Sequence, residues 1–182
     1  MKLVFLSDIH GSLTFAKKGI EAFEREEADY LILLGDLMYH GPRNALPEEY
    51  LPAEVANLLN RFKDNVIAVR GNCDSEVDQM LIEFPMMSDY HIILTEKRRL
   101  LITHGHIYHE NNHPYLSNGD VLIHGHTHVP VAKASEGLYI INPGSLAIPK
   151  ENHPHTYGVY QDDTFTIKTL SGEEYMSIQF GM

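Results

Sequence analysis

The 182-residue sequence predicts a single α/β (α+β) domain, residues 1–182, in which two packed β-sheets carry helices on their outer side. Two observations lead there. The first half alternates short apolar runs with stretches of helical periodicity, and the second half is almost entirely strand-like. A third observation concerns the strand ends, most of which run into a short motif of His, Asp, Asn and Gly.

Lys2–Leu6 reads as a buried strand. Leu13, Ala16, Ile20 and Phe23 then recur at helical spacing. Tyr30–Leu34 is a second apolar strand, closed by Gly35-Asp36. Pro52 suits the first position of a helix whose apolar face is Val55, Leu58, Leu59 and Phe62. Val66–Val69 is a third strand. A helix capped by Asp74 or Ser75 is expected through Val77, Met80, Leu81 and Phe84. Beyond Pro85, strands are expected at Tyr90–Thr95, Leu100–Thr103, Val121–His124, Tyr139–Asn142, Thr156–Tyr160, Phe165–Leu170 and Tyr175–Phe180. Turns at Glu136-Gly137, Asp162-Asp163 and Ser171-Gly172 punctuate them.

Composition narrows the function classes. No apolar run approaches the roughly 20 residues of a membrane span, and Lys2 to Leu6 is too short for a signal-peptide core. A soluble, cytoplasmic protein is the expectation. Its single cysteine, Cys73, excludes an internal disulfide and fits a reducing compartment. A net charge of −11 disfavours a nucleic-acid polymer as partner, because such binding draws on Lys and Arg. The basic run Lys97-Arg98-Arg99 reads as a polar hairpin turn. The anomaly is histidine, with 12 against 14 Lys plus Arg.

Those histidines concentrate in the strand-end motifs. Asp8-Ile9-His10-Gly11 follows the first strand, and Gly35-Asp36 with His40-Gly41 the second. Gly71-Asn72-Cys73-Asp74 follows the third. Later come Thr103-His104-Gly105-His106, His124-Gly125-His126-Thr127-His128 and Asn142-Pro143-Gly144-Ser145. Any one of these is ordinary loop chemistry, but six at six strand ends point to one site. The donors are oxygen and imidazole with no thiolate pair. That set suits Mn²⁺, Fe or Zn²⁺, and two such divalent ions can clamp a phosphoryl group. The expectation is two divalent ions, Mn²⁺ with Fe, Zn²⁺ or Ni²⁺ as alternatives. A Walker-type phosphate loop and a Gly-x-Ser-x-Gly elbow are both missing.

Asp8-x-His10, Gly35-Asp36, Gly71-Asn72, Gly105 with its flanking histidines, and Gly125-His126-x-His128 resemble the calcineurin-like metallophosphoesterase signature. The stretches 40–47 and 70–79 resemble the bacterial YfcE-type phosphodiesterases within that family. The resemblance runs from residue 3 to about Pro149. It implies a four-layer αββα sandwich of two mixed β-sheets flanked by helices. It also implies roles: Asp8, His10 and His128 for a first metal, Asn72, His104 and His126 for a second, and Asp36 bridging both. A metal-bridged hydroxide would then attack a small-molecule phosphodiester in line, with no covalent enzyme intermediate.

One departure matters. The broad family carries a histidine, taken as the general acid, where this chain has Cys73. Asp74 and His106 are the candidate replacements. Weaker acid assistance would favour aryl over alkyl diesters, since general-acid catalysis is typically worth about 10²–10⁴-fold. His40, Arg43 and His106 are the candidate substrate contacts, and Arg43 could instead sit in a surface ion pair. His124 reads as structural, His91 as a strand surface residue, and His109, His113, His153 and His155 as solvated or locally bonded. Asn142 and Ser145 read as hydrogen-bonding support for the metal loops. The alternatives are a phosphomonoesterase or phosphoprotein phosphatase on the same centre, or a non-catalytic interaction scaffold, as in the retromer subunit with this fold. Complete ligand positions weigh against the scaffold. A homo-oligomer is compatible with the sequence, because the C-terminal strands could present an edge.

Overall fold

The computed structural model of the chain describes residues 1–181. Its elements in order are β1 (Lys2–Leu6), α1 (Leu13–Arg25), β2 (Tyr30–Leu33), α2 (Pro52–Asn60), β3 (Val66–Ala68), α3 (Glu76–Gln79), β4 (Tyr90–Leu94) and β5 (Arg99–Thr103). They continue with β6 (Val121–Ile123), β7 (Val131–Ser135), β8 (Leu138–Asn142), β9 (Thr156–Gln161), β10 (Thr164–Thr169) and β11 (Glu174–Gln179). The first sheet has the order β11-β10-β9-β1-β2-β3 and the second β4-β5-β6-β8-β7. Both are mixed. Strands β1, β2 and β3 run parallel, as do β5, β6 and β8, with antiparallel strands completing each sheet.

Strand β1 explains why its sequence is continuously apolar. Leu3 and Phe5 face the second sheet, against Leu100, Ile102, Val121 and Ile123. Val4 and Leu6 face outward under Ala16, Ile20 and Phe23 of α1 and Val55 and Leu59 of α2. A strand buried on both faces needs apolar residues at every position. Helix α1 starts where Ser12 accepts a hydrogen bond from the Phe15 amide, 3.4 Å, and α2 starts on Pro52.

The outer face of the second sheet is covered differently. Leu101, Leu122 and Ile140 are buried there under Leu116, which belongs to the irregular segment between β5 and β6. No helix lies in that segment, so the fourth layer is a loop. Strand β11 is an edge strand, as expected.

Two local expectations need correction. The helix after Ser75 stops at Gln79 instead of reaching Phe84. The Gln79 amide donates to the carbonyls of Ile82 and Phe84, both 3.0 Å, and accepts from the Met86 amide, 2.9 Å. That side chain replaces helical hydrogen bonds, letting Ile82, Phe84 and Met86 turn into the core while Val77, Met80 and Leu81 stay exposed. Strand β7 was not foreseen, because Val131-Ala-Lys-Ala-Ser135 has little β-propensity. Antiparallel pairing with β8 across the Glu136-Gly137 turn forms it.

A buried ion cluster ties α1 to three strands. The Glu26 carboxylate accepts from Lys168 Nζ, 2.7 Å, and Tyr157 Oη, 2.8 Å, and pairs with Lys2 Nζ at 2.7 Å. Burial opposes the ionised form, yet these partners hold its pKa down to about 2. Because the folded value lies below the unfolded one, the cluster's stabilisation is fully present above pH 4.5 and fades as pH falls toward 2. Glu26→Gln is therefore expected to cost about 2 kcal/mol at pH 7, a discounted figure because both lysines reach solvent. Urea unfolding at pH 7 and pH 2.5 checks this, and the gap between variant and parent should shrink at the lower pH.

Candidate metal centre

The site forms at the carboxyl ends of the parallel strands, where loops from both sheets meet. Asp8 and His10 follow β1, Asp36 follows β2, Asn72 follows β3, His104 follows β5, and His126 and His128 follow β6. Five of these seven residues have left-handed backbones: Asp8 (φ 57°), His10 (51°), Asp36 (55°), His126 (68°) and His128 (61°). Such conformations cost on the order of 1–3 kcal/mol each and collect at functional sites. Cross-loop hydrogen bonds hold them, including His10 N to Asp36 O at 2.8 Å and Gly11 N to Leu37 O at 2.9 Å.

Two glycines permit the close approach. A Cβ on Gly71 would collide with the Asp36 carboxylate and amide, and one on Gly125 with the Ser7 hydroxyl. Neither loop could otherwise come so near the carboxylates.

All seven predicted side chains come together. His128 Nε2 lies 3.3 Å from Asp8 Oδ1, and His10 Nε2 lies 3.8 Å from the same oxygen. Asp36 Oδ2 lies 3.6 Å from His10 Nε2 and 3.5 Å from His104 Nε2, so one oxygen faces both halves of the cluster. His104 Nε2 is 3.1 Å from Asn72 Oδ1 and 3.2 Å from His126 Nδ1. Asp8, His10 and His128 each offer a ligand atom within 4.8 Å of the others, as do Asp8, Asp36 and His104.

The tautomers settle what these atoms are facing. His10, His104 and His128 each place Nδ1 against a backbone carbonyl: Tyr39 at 2.8 Å, Leu34 at 2.7 Å and Ile148 at 2.7 Å. A carbonyl only accepts, so each Nδ1 carries a proton and Nε2 is the inward-facing ligand atom, which on His104 holds a second proton until a cation replaces it. His10 Nε2 and His128 Nε2 then face each other at 3.4 Å as two lone pairs. Asp8 Oδ2 accepts from Ser7 Oγ, 2.7 Å, and from the His126 amide, 3.1 Å, while its buried Oδ1 has no donor. Converging lone pairs and an orphaned carboxylate oxygen demand positive charge, and the residues fit divalent metal ions.

The electrostatics agree. Burial opposes charge on Asp8, yet the imidazoles of His128, His104 and His10 hold it well below the usual carboxylate range. Burial likewise opposes a proton on His104, but Asp36 and Asp8 raise its pKa to about 9. Burial and the charge of His104 push His126 down to about 4. The field at the centre is that of two ionised carboxylates awaiting cations.

A cleft of about 520 Å³ opens over the cluster, with His10, Asp36, Asn72, His126 and His128 in its lining. Arg43, Cys73 and Lys150 also line it. Arg43 makes no ion pair among the described residues, which leaves its guanidinium free toward the cleft. Burial and the charge of Asp36 push the Cys73 thiol up to about 12, so it is a neutral space-filling group there.

Two expected residues, Asp74 and His40, sit elsewhere, and a third, His106, stands beside the cluster. Asp74 caps no helix and does not line the cleft: its carboxylate accepts from the amides of Asp36 (2.8 Å), Leu37 (2.9 Å) and Gly71 (2.8 Å). Both oxygens are committed to backbone, which corrects the general-acid expectation. Ser75 supplies the cap. The His40 ring packs edge-on between Tyr39 and Tyr50, centroids at 4.8 and 5.3 Å, and is absent from the cleft lining. Its aromatic neighbours, invisible as contacts in the sequence, claim it. His106 packs on His104 and His126, centroids at 5.4 and 6.3 Å, beside the cluster.

Asn142 supports the loops as expected, donating to Gly125 O (2.8 Å) and Thr127 Oγ1 (2.9 Å) and accepting from the Gly144 amide (2.9 Å). Lys150 was missed. It lies beyond the last motif, and only its backbone bond to His128 O, 3.3 Å, brings it to the site.

A two-sheet sandwich with a buried carboxylate and imidazole cluster at its parallel strand ends defines a metallophosphoesterase. Residues 1–164 match the family model of the calcineurin-like phosphoesterase superfamily domain, and the chain belongs to that family. It is 49% identical over 177 residues to phosphodiesterase YfcE of Escherichia coli strain K12, covering 97% of this chain and 96% of the relative. The solved structure of the E. coli phosphoesterase Yfce superposes with a TM-score of 0.97 at 47% identity, over all of both chains. A Vps29 variant from Entamoeba histolytica, 18% identical with a TM-score of 0.62 over all of both chains, shares the fold.

Proposed function

We propose that this chain is a metal-dependent phosphodiesterase that hydrolyses small-molecule phosphodiesters at a dinuclear centre. The observation that carries this reading is the pair of ligand-atom clusters sharing one oxygen of Asp36. Asp8, His10 and His128 would hold one ion, Asn72, His104 and His126 the other, and Asp36 both. Mn²⁺ is the ion we assign, with Fe, Zn²⁺ or Ni²⁺ as alternatives. Such a pair, when bound, polarises phosphoryl oxygens and lowers the pKa of water toward about 7.

The protein's own groups do the rest. Asp36 sets the spacing of the two clusters, and Asn72 presents Oδ1 at the open side of the cleft. Arg43 lines the cleft and offers its guanidinium to an anionic group of the substrate beyond the metal-held oxygens, a match to phosphate geometry. His106, beside His104 and His126, is the imidazole we assign to protonate the leaving oxygen. Cys73 stays protonated and forms no covalent intermediate. The E. coli relative that carries the name phosphodiesterase supports diester over monoester hydrolysis. A cytoplasmic setting belongs to this reading and rests on the lone thiol Cys73.

The test is a substrate panel on one Mn²⁺-loaded preparation. Aryl diesters such as bis(p-nitrophenyl) phosphate are expected to turn over at least about tenfold faster than p-nitrophenyl phosphate and simple alkyl diesters. A preference for the monoester would transfer the assignment to a phosphatase on the same centre.

A further inference from the structure

Resting on the phosphodiesterase reading, we infer that Arg43 and Lys150 form a second anion subsite, so that the preferred substrates are phosphodiesters carrying another anionic group beyond the scissile phosphate. Both residues line the cleft above the cluster, and they come from unrelated loops. Neither forms an ion pair within 4.0 Å among the described residues, whereas Arg25, Arg98 and Arg99 are engaged in polar contacts elsewhere. In a chain of net charge −11, these two cations without an ion pair line one cleft together. Asp36 is the one carboxylate among the cleft-lining residues, and it faces inward to the histidines.

Both positions are built. The turn bearing Arg43 starts at Gly41 (φ 76°) and is closed by Asn44, whose amide nitrogen donates to Gly41 O at 3.2 Å and whose side chain donates to His40 O at 2.8 Å. The turn bearing Lys150 is fixed to a metal-cluster residue twice. His128 Nδ1 donates to Ile148 O at 2.7 Å, and Lys150 N donates to His128 O at 3.3 Å. Left-handed Glu151 and Asn152 then reverse the chain, and His153 N returns to Lys150 O at 3.0 Å. The backbone of Lys150 is thereby held at the cleft by the same loop that orients His128. A plain diester has one negative charge for the metal centre to take, which leaves these two cations for a second anion.

Calorimetric binding to the Mn²⁺-loaded full chain reads this without turnover. Adenosine 3′,5′-bisphosphate is expected to bind about tenfold tighter than adenosine 5′-monophosphate, the scale of one charge-assisted contact. Lys150→Gln and Arg43→Gln should each reduce that ratio by about twofold, the double variant should bring it near the statistical factor of about two, and Lys150→Arg should keep most of it. Lys63→Gln, an equal charge change at the opposite end of β3, should leave the ratio intact. Equal affinities in the parent, a ratio that survives the double variant, or an equal loss in Lys63→Gln overturns the subsite. Failure of the parent to hydrolyse bis(p-nitrophenyl) phosphate would instead overturn the phosphodiesterase reading, and the binding ratio would still decide the subsite.

Discussion

Asp36→Asn is expected to lower phosphodiester turnover by at least about 10³-fold and to empty both metal positions, the larger end of what one preorganised electrostatic group contributes. The geometry gives the reason. Asp36 Oδ1 already accepts from the Cys73 amide at 2.8 Å, so Asn must keep its oxygen there. The new amide NH₂ then replaces Oδ2, between His10 Nε2 and His104 Nε2. It carries hydrogens where the shared anionic oxygen was, so neither cluster keeps that ligand atom. Burial opposes the ionised form of Asp36, yet its contact with His104 holds its pKa below the ordinary carboxylate value, so the metal-free variant should be less stable at neutral pH than the metal-free parent. His128→Ala, by contrast, should weaken chiefly the ion shared with Asp8 and His10. Elemental analysis of both variants with thermal melts separates loss of metal from loss of fold. Two ions retained by Asp36→Asn would contradict the bridging role.

Asp74→Ala is the change with the largest expected effect on folding. Its carboxylate serves three amides, those of Asp36, Leu37 and Gly71, and sits 8% exposed. Truncation leaves three buried donors without partners, a loss of about 3–5 kcal/mol. For a domain of this size that corresponds to a melting temperature lower by about 10 °C. A helix cap would cost only about 1 kcal/mol, and a general acid would change the pH profile with little change in melting. Burial and the charge of Asp36 hold the Asp74 pKa up to about 6, but its oxygens point at backbone, away from any leaving group. Calorimetric melting of metal-free Asp74→Ala decides among these roles. A shift within 2–3 °C would remove the scaffolding role, on the same scale.

The convergence of the seven candidate ligands was legible in the sequence for a physical reason. Each follows an apolar run by only a few residues, and parallel strands deliver their loops to one edge of the sandwich, so strand-end position encodes proximity. The two-sheet architecture was legible because β1, β2, β5 and β6 are apolar at nearly every position, the mark of strands covered on both faces. Other features depend on contacts that no local pattern carries. Gln79 stops α3 by bonding three backbone groups further along the chain. His40 is claimed by Tyr50, and β7 by its neighbour β8. Lys150 reaches the cleft only because His128 anchors its turn. Asp74 and Ser75 are adjacent and are both good capping types, so sequence alone could not say that one caps the helix while the other holds the Asp36 loop.

The most direct measurement is a Mn²⁺ titration of the chelator-stripped chain, with bound metal and bis(p-nitrophenyl) phosphate hydrolysis followed together. The expected result is that stripped protein is inactive and that turnover rises to its plateau as the second ion binds. Full turnover by stripped protein, or a plateau reached with a single bound ion, would contradict a dinuclear centre organised by Asp36.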